Sequence, residues 1–212
     1  MQKSKADITL QTYNLIAKDY AKNGLKAAPK QEENTFIKLL TPSQKILDVG
    51  CGFGRNLKAF LDYGLDVYGF DGSRELLKIA QLQAPKAKLQ LLDLREKLPY
   101  EDNFFDGIWA RNSLHHLEPQ DLLRALSELK RILKPNGIIF IEWKKGQGPT
   151  ITREEKAQGQ ERFYNLLSKK EVEEIIENAG LRITDSYIYN ASERSNEKRQ
   201  FPNFIVIFAK KP

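Results

Sequence analysis

Three glycines at alternate positions separate a short apolar run from a helical pattern in the first third of the chain. Residues 46–49 predict a buried strand, and the turn after them contains Gly50, Gly52 and Gly54. Because glycine lacks a Cβ, a ligand can approach the backbone of this turn closely, and the helix that follows offers free N–H groups. A strand that enters a helix through such a turn is typical of a nucleotide-type cofactor site at the carboxyl edge of a parallel sheet.

The glycine spacing and one acidic residue argue against a dinucleotide. In the G-x-G-x-x-G pattern of dinucleotide sites the third glycine lets the helix pack close to the strand, but here Arg55 stands at that position. Asp48, two residues before Gly50, would repel a pyrophosphate. A carboxylate beside the turn suits a cationic ligand instead, so an NAD-dependent oxidoreductase is disfavoured.

The segment D-V-G-C-G-F-G, residues 48–54, resembles the first motif of class I S-adenosylmethionine-dependent methyltransferases. S-adenosylmethionine carries a sulfonium and an ammonium group and no phosphate, which agrees with the argument from Asp48. The resemblance implies a Rossmann-like α/β fold, with a doubly wound seven-stranded sheet that is mostly parallel and ends in a C-terminal antiparallel hairpin. It also implies an enzyme that transfers a methyl group from S-adenosyl-L-methionine and releases S-adenosyl-L-homocysteine.

The second predicted strand, residues 66–71, ends at an acidic residue. Asp71 lies about 20 residues after Gly50, which is the spacing at which a carboxylate meets the hydroxyls of a ribose. Because one carboxylate can accept from two vicinal hydroxyls, Asp71 is the predicted ribose ligand. The alternative is an acid that only caps a helix or stabilises a turn. Ser73 is predicted to cap a helix over residues 74–83.

The third predicted strand, residues 87–92, is followed by Asp93 and Leu94. In the family that this chain resembles, an acid at the first position accepts from the adenine amino group, and the next backbone N–H reaches a ring nitrogen. The alternative for Asp93 is a surface residue at a strand end. Gly72 follows the ribose acid, where the family often has a larger apolar residue against adenine. Gly72 is expected to line the site, but the adenine packing must come from elsewhere.

After a fourth strand, residues 107–111, the segment N-S-L-H-H-L resembles one found in the small-molecule and tRNA branches of the family. The resemblance implies that Arg111 and Asn112 approach the methionine moiety, mainly through their backbone. One of the adjacent histidines is expected to pack against the next helix and the other to face the methyl acceptor, and Asn112 and His115 are the candidate catalytic residues. No metal is expected, because no cysteine, histidine or acidic cluster has ligand spacing.

The N-terminal segment also resembles the family, through a "Y-x-x-x-A-x-x-Y" helix that lies over the cofactor. Tyr20 is the lid candidate, because an aromatic ring near a sulfonium gains cation–π attraction. The alternative is that Tyr13 and Tyr20 are residues at the edge of the core. We divide the single domain, residues 1–212, into a helical lid (1–44), a cofactor-binding core (45–145) and an acceptor-side region (146–212).

The remaining pattern predicts helices over residues 119–133 and 169–179, the latter capped by Ser168, and strands over residues 138–143, 181–189 and 203–211. Residues 144–161 are rich in Lys, Gly, Gln, Pro, Thr and Glu and predict a mobile insertion. The insertion follows the fifth strand, where the family places part of its acceptor site.

Composition limits the class of protein. A chain of 212 residues with 41% hydrophobic residues is long enough for one well-buried domain. No apolar run reaches the ~18 residues that span a membrane, and the first residues lack an apolar signal core. Cys51 is the single cysteine, which favours a reducing, cytoplasmic location.

The methyl acceptor is left open by the sequence. A net charge of +6 permits RNA such as tRNA, although no RNA-binding module is present. A compact single domain favours a small metabolite. A third hypothesis, a non-catalytic cofactor-binding subunit, is disfavoured because the cofactor positions are intact. No oligomeric state is indicated. The basic residues that could contact RNA are Lys18, Lys22, Lys26, Lys30, Lys144, Lys145, Arg194, Lys198 and Arg199.

Overall fold

The computed structural model describes residues 4–24, 30–153, 157–190 and 203–212. Lys26, Arg194, Lys198 and Arg199 lie outside these ranges, as does the side chain of Lys30. The helices of the described part are α1 (Lys5–Gly24), α2 (Lys30–Lys38), α3 (Leu57–Asp62), α4 (Arg74–Gln83), α5 (Pro119–Ile132) and α6 (Lys169–Asn178). Its strands are β1 (Lys45–Val49), β2 (Asp66–Asp71), β3 (Lys88–Leu91), β4 (Phe105–Arg111), β5 (Leu133–Lys144), β6 (Gly148–Arg153), β7 (Glu161–Leu166), β8 (Arg182–Asn190) and β9 (Asn203–Lys210).

Within the described residues a seven-stranded sheet has the order β3-β2-β1-β4-β5-β9-β8. The first five strands of this order are parallel, and β9 pairs antiparallel with both β5 and β8. This arrangement confirms the doubly wound fold with a C-terminal antiparallel hairpin. The strand order reverses between β1 and β4, and ligands of such folds bind at the carboxyl ends of the strands beside this reversal.

Both faces of the sheet carry apolar residues, because helices cover its central strands on both sides. On one face, Leu47 and Ile108 pack in a cluster with the leucine stripe of α5 and with Val172 of α6. On the other, Ile46 and Trp109 pack with residues of α2, α3 and α4. These two layers hold the carboxyl ends of β1 and β4 in place.

Side-chain caps begin α4 and α6 as the sequence predicts. Ser73 Oγ accepts from the backbone N–H of Leu76, 3.3 Å away. Ser168 and Glu171 form a reciprocal capping box at the start of α6, which satisfies two backbone donors that the helix leaves open.

The strand after α5 differs from its prediction. Strand β5 begins at Leu133, which pairs with Phe105, and the pairing resumes at Ile138 opposite Gly107. Residues 134–137 therefore bulge from the strand. Asn136 has a left-handed φ of 63° there. The strand predicted over residues 138–143 is therefore longer at its start and contains a bulge.

The segment predicted as a mobile insertion, residues 144–161, contains a strand that the sequence analysis did not assign. Strand β6 pairs antiparallel with β7, with Thr150 opposite Tyr164. The alternation of exposed and half-exposed residues along β6 explains the polar composition, because only its partner strand is buried. No helix in the described ranges combines the length and the apolar character needed to cross a membrane.

Candidate functional site

A cavity of about 160 Å³ opens under α1, beside the carboxyl ends of β1, β2 and β4. Its position is the one expected for the ligand of a doubly wound sheet. Most of the residues predicted to bind a cofactor line this cavity: Tyr20, Asp48, Gly50, Gly52, Asp71, Gly72, Asp93, Leu94, Arg111 and Asn112. Gly54 and His115 are not among its lining residues.

The glycine turn serves two different purposes. Gly52 has a φ of +58°, and within the described chain no heavy atom lies within 4 Å of a Cβ built on it. Its open side faces the cavity. Gly54 has a φ of +85°, and a Cβ there would lie 3.0 Å from Ala80 Cα of α4. Gly54 therefore allows close packing of the turn against α4, and its contact with the cofactor stays a prediction.

Two buried carboxyls lie side by side at the strand ends. Asp71 accepts hydrogen bonds from the backbone N–H groups of Gly52 (2.8 Å) and Ser73 (2.7 Å). The Asp48 carboxyl is 4% exposed, and no hydrogen bond to it is found in the part of the chain that the structure describes. Burial, with the nearby Asp71 charge, raises the pKa of Asp48 to about 8. A cationic ligand beside Asp48 would supply the charge that this carboxylate lacks.

Arg95 connects the third strand end to the N-terminus of α1. It donates to Asp93 from Nε (3.0 Å) and from a terminal nitrogen (2.6 Å), and also to Ser4 Oγ (2.8 Å) and Asp7 Oδ1 (2.6 Å). Burial opposes ionisation of Asp93, but the Arg95 guanidinium lowers its pKa overall. The sequence did not identify Arg95, although it lies two residues after a predicted site acid.

Glu142 organises the end of β4 from the neighbouring strand. This fully buried carboxylate accepts from Arg111 Nε (3.0 Å), from Asn112 Nδ2 and from Tyr189 Oη (2.7 Å). Asn112 has a φ of +55°, which turns the chain toward the cavity. Among the described residues, Asn112 Oδ1 and Ser113 Oγ are buried without a hydrogen-bond partner. Because such orphan atoms are costly, they indicate polar ligand atoms at this point.

The two histidines have different environments. His115 is buried beside Trp143 and Tyr164, and its Nδ1 accepts from the backbone N–H of Lys144 (3.2 Å). Burial lowers its pKa well below the usual value, so its ring is neutral. His116 lines the cavity instead and contacts Tyr13. The candidate catalytic position therefore moves from His115 to its neighbour.

Helix α1 forms the roof of the cavity with aromatic and apolar side chains. The Tyr20 ring makes edge contacts with Tyr13 (5.2 Å between centroids) and Phe53 (5.8 Å). A Cβ built on Gly72 would lie 2.5 Å from Leu10 Cδ2. Leu10 therefore supplies from α1 the apolar packing that Gly72 lacks. Tyr13 belongs to the helix predicted to lie over the cofactor, with a place at the edge of the core as the alternative. Leu10 was not predicted as a site residue, because nothing in the local pattern distinguishes it from a core residue.

Within the described ranges no three His, Cys, Asp or Glu side chains form a group that could hold a metal ion. The acids at the strand ends face a cavity that can admit an organic ligand. Asp71 accepts from backbone N–H groups and Asp93 from Arg95. The chemistry of the site is therefore that of a polar organic cofactor.

Comparison with known proteins decides the type of domain. Residues 47–141 match the family model described as "Methyltransferase domain". These residues form a methyltransferase domain. Their bounds run from β1 to β5 and include the glycine turn and all three strand-end acids, as the resemblance of the sequence implied.

Individual relatives agree with this methyltransferase domain. An uncharacterised methyltransferase of Synechocystis sp. is 34% identical over 102 residues, which are 48% of this chain and 48% of that protein. The chain thus spans about half the length of that curated relative.

Solved structures of low identity show the fold. A 1,6-didemethyltoxoflavin-N1-methyltransferase of Burkholderia thailandensis, solved with its substrate and S-adenosylhomocysteine, is 20% identical with a TM-score of 0.78 and covers 100% of this chain and 92% of its own. The [4+2]-cyclase SpnF is 19% identical, with a TM-score of 0.75, and covers 99% of this chain and 97% of its own. Since one of these is described as a cyclase, the activity has to be argued from the site.

Proposed function

We propose that this protein binds S-adenosylmethionine and transfers its methyl group to a small-molecule acceptor. The observation that carries the proposal is the buried Asp48 carboxyl, which faces the cavity at the reversal of strand order. A cationic ligand group would favour the ionised form of this carboxyl, and S-adenosylmethionine has two cationic groups and no phosphate. A dinucleotide would instead place a pyrophosphate against Asp48 and Asp71, which would repel it.

The residues of the cavity fit the parts of this cofactor. Asn112 Oδ1 would accept from the ammonium group, because it is a buried acceptor without a partner among the described residues. Asp48 would accept from it as well, since a cation would favour the ionised form of this buried carboxyl. Arg55 and Arg111 line the same cavity and would hold the methionine carboxylate. Gly52 would admit the cofactor close to the backbone, because the space above it is empty in the described structure.

The nucleoside would lie toward β2 and β3. Asp71 uses one acceptor site on each oxygen for a backbone N–H, and the remaining lone pairs can accept from the ribose hydroxyls. Leu10 would pack against adenine above Gly72. Asp93, held by Arg95, and the backbone N–H of Leu94 would meet its polar edge.

When bound, the cofactor supplies an electrophilic methyl group and a neutral leaving group. The protein then has to position the acceptor and exclude water. Helix α1 covers the cavity with five lining residues, which supports the assignment of residues 1–44 as a lid: Ala6, Thr9, Leu10, Tyr13 and Tyr20. Strand β7 contacts His116 from the other side, which supports an acceptor role for residues 146–212.

A small acceptor is favoured because the described cavity is roofed by a helix and lined by aromatic rings. The toxoflavin enzyme of the same fold acts on a small heterocycle, which supports this choice. RNA is a weaker hypothesis, since it rests on a net charge of +6, and a lysine-rich solvated surface gives such a charge without any nucleic-acid partner. The single cysteine, buried Cys51, supports a cytoplasmic location.

Calorimetry and a labelled-methyl assay test the proposal. We expect S-adenosylhomocysteine to bind and NAD to give no heat of binding. With methyl-labelled S-adenosylmethionine, label should enter a small-molecule filtrate of cell extract and not purified tRNA. Binding of NAD instead of S-adenosylhomocysteine would overturn the cofactor, and label in tRNA alone would overturn the acceptor class.

A further inference from the structure

The acceptor end of the cavity contains a chain of hydrogen bonds that cofactor binding does not use. His116 Nδ1 lies 2.7 Å from the carbonyl oxygen of Phe163, and its Nε2 lies 2.9 Å from Tyr13 Oη. A carbonyl oxygen only accepts, so Nδ1 carries the proton of the neutral ring. Nε2 is then an acceptor, and the Tyr13 hydroxyl donates to it. In the neutral ring, these contacts determine both the tautomer of His116 and the direction of the Tyr13 proton.

Arg162 completes the orientation of the Tyr13 hydroxyl. A terminal nitrogen of this buried arginine lies 3.3 Å from Tyr13 Oη, and a guanidinium only donates. The oxygen therefore receives one hydrogen bond, gives one to His116 and keeps a second lone pair. Because Tyr13 and His116 both line the cavity, a hydroxyl or ammonium group of a bound molecule can donate to that lone pair.

Tyr13 itself is a poor terminal base. Burial, with the neighbouring Tyr20 and Tyr164, raises the pKa of Tyr13 well above 10. The phenol therefore stays protonated and can accept a proton only while it gives its own away. His116 Nε2 is the group placed to receive that proton.

We propose that Tyr13 and His116 form a proton relay that deprotonates the methyl acceptor. This inference rests on the proposed function and names the class of substrate, a small molecule whose nucleophilic oxygen or nitrogen carries a proton. The acceptor gives its proton to Tyr13 Oη as the Tyr13 proton passes to His116 Nε2. The acceptor atom uses the freed electron pair to bond the methyl carbon, whose former bonding pair stays on sulfur. The imidazolium then returns the proton to solvent, which balances the positive charge lost from the sulfonium.

The small β6–β7 sheet is the platform of this relay. Phe163, which holds the His116 tautomer, and Arg162, which orients Tyr13, are consecutive residues of β7. Two hydrogen bonds align α1 with the same strand, from the Phe163 N–H to Thr9 Oγ1 (2.9 Å) and from Thr12 Oγ1 to the Glu161 carbonyl (2.6 Å). Arg162 is thus a positioning residue. A carboxylate acceptor is already ionised at neutral pH and would need no such relay.

Nitrogen NMR of the histidine rings tests the relay without turnover. The chain has two histidines, so ¹⁵N-labelled protein saturated with S-adenosylhomocysteine gives two ring systems. We expect opposite neutral tautomers, with the proton on Nδ1 of His116 and on Nε2 of His115. Tyr13→Phe should shift the Nε2 resonance of His116 and leave His115 unchanged. The Nε2–H tautomer at His116, or no shift on Tyr13→Phe, would overturn the proposal.

Turnover of the small-molecule filtrate tests the chemistry. Tyr13→Phe and His116→Gln should each lower kcat by about 100-fold or more, as expected for lost acid–base catalysis, with S-adenosylhomocysteine affinity changed less than threefold. Tyr100→Phe, which removes a hydroxyl bonded to Gln90 at the surface, is the control. Unchanged kcat, or affinity lost in parallel with kcat, would overturn the relay. Absence of transfer by the native protein counts against the proposed function, and the NMR result then decides the relay separately.

Discussion

The two ends of the cavity are built in different ways. At the cofactor end, Asp48, Asp71 and Asp93 each lie at or just beside the end of a parallel strand, within one continuous stretch of chain. At the acceptor end, Tyr13 and His116 are 103 residues apart, and His116 and Phe163 are 47 apart. The first arrangement follows from the topology of the sheet, and the second exists only after α1 and β7 have packed together.

This difference explains which functional residues a sequence can reveal. In a parallel sheet all carboxyl ends meet at one edge, so an acid at a strand end is placed without knowledge of distant contacts. No such rule places a side chain of α1 against a turn after β4. Variants at the cofactor end should therefore lose affinity for S-adenosylhomocysteine, and variants at the acceptor end should lose turnover.

The largest loss is expected at Glu142, the buried carboxylate that accepts hydrogen bonds from three side chains. Glu142→Ala removes the buried acceptor of Arg111, Asn112 and Tyr189 and leaves the arginine buried without its counter-charge. The free energy of unfolding should fall by about 3–5 kcal/mol, the range for breaking a buried pair. Urea denaturation measures it, with exposed Glu177→Ala of α6 as the control. A loss equal to that of the control would contradict the role of Glu142.

The ribose ligand gives the next largest effect, and it belongs to the cofactor end. Asp71→Ala should weaken S-adenosylhomocysteine binding by about 1.5–3 kcal/mol, as expected for hydrogen bonds to a charged group. Asp62→Ala, at an exposed salt bridge of α3, should leave the affinity unchanged. Isothermal titration calorimetry compares the two. Equal affinities would show that Asp71 only stabilises the turn, which was the alternative interpretation of the sequence.

Two glycines of the same turn separate packing from ligand contact. Gly54→Ala should lower the free energy of unfolding by about 2 kcal/mol or more, because a left-handed φ costs ~1–2 kcal/mol for alanine and the new Cβ meets the Ala80 backbone. Gly52→Ala meets no described atom within 4 Å, so it should cost less stability but weaken S-adenosylhomocysteine binding. Thermal melts and titrations of both variants measure this. The reverse pattern would exchange the assigned roles.

The two glycines illustrate which features of the site can be predicted from the sequence and which cannot. The strand–turn–helix pattern predicted a cofactor site at the carboxyl edge of a parallel sheet. The resemblance to the methyltransferase family implied the doubly wound sheet and most of the residues that line the cofactor end. Neither could separate Gly52 from Gly54, because the difference lies in the distance between the turn and Ala80 of α4. The sequence analysis named His115 and not His116 as the candidate catalytic residue. Both lie in a 3₁₀ turn, Leu114–His116, and the local pattern does not tell which of the two side chains faces the cavity. Strand β6 was missed because its exposed residues are mostly polar. Its pairing with β7 could not be predicted either, because it depends on tertiary contacts.

The pH dependence of cofactor binding tests the charge at Asp48. The pKa of about 8 in the free protein means that this carboxyl is protonated below pH 8, whereas an ammonium ligand needs the carboxylate. Binding therefore releases a proton, and S-adenosylhomocysteine affinity should rise between pH 6 and 8 by up to about tenfold per unit, or ~1.4 kcal/mol. Asp48→Asn should remove this slope and weaken binding. A native affinity that is flat over this range would contradict the assignment.

The same substitution should stabilise the free protein. When folding raises the pKa of a carboxyl, the free energy of unfolding falls as the pH rises above the pKa of the unfolded state, near ~3.9. The reason is that the folded chain must then either keep the carboxyl protonated or bury its charge. Asparagine has no such cost, so Asp48→Asn should melt at a higher temperature at pH 8 and differ little at pH 4. The Asp48 carboxyl is thus expected to lower the stability of the free protein and to strengthen cofactor binding.

The smallest effect is expected at the contact that closes α1 over the cofactor end. Arg95 joins Asp93 to Asp7 of α1, but the Asp7 side chain is 39% exposed, so solvent screens the pair. Asp7→Asn should lower the free energy of unfolding by only ~0.2–1 kcal/mol, and less at high salt. Because the same arginine also holds Asp93, a looser α1 should release S-adenosylhomocysteine faster in stopped-flow measurements, while Lys58→Ala, at the exposed pair with Asp62, should not. A dissociation rate equal to the native one would contradict this role of Arg95. The hydrogen bonds of Thr9 and Thr12 to β7 would then be sufficient to hold α1 over the cavity.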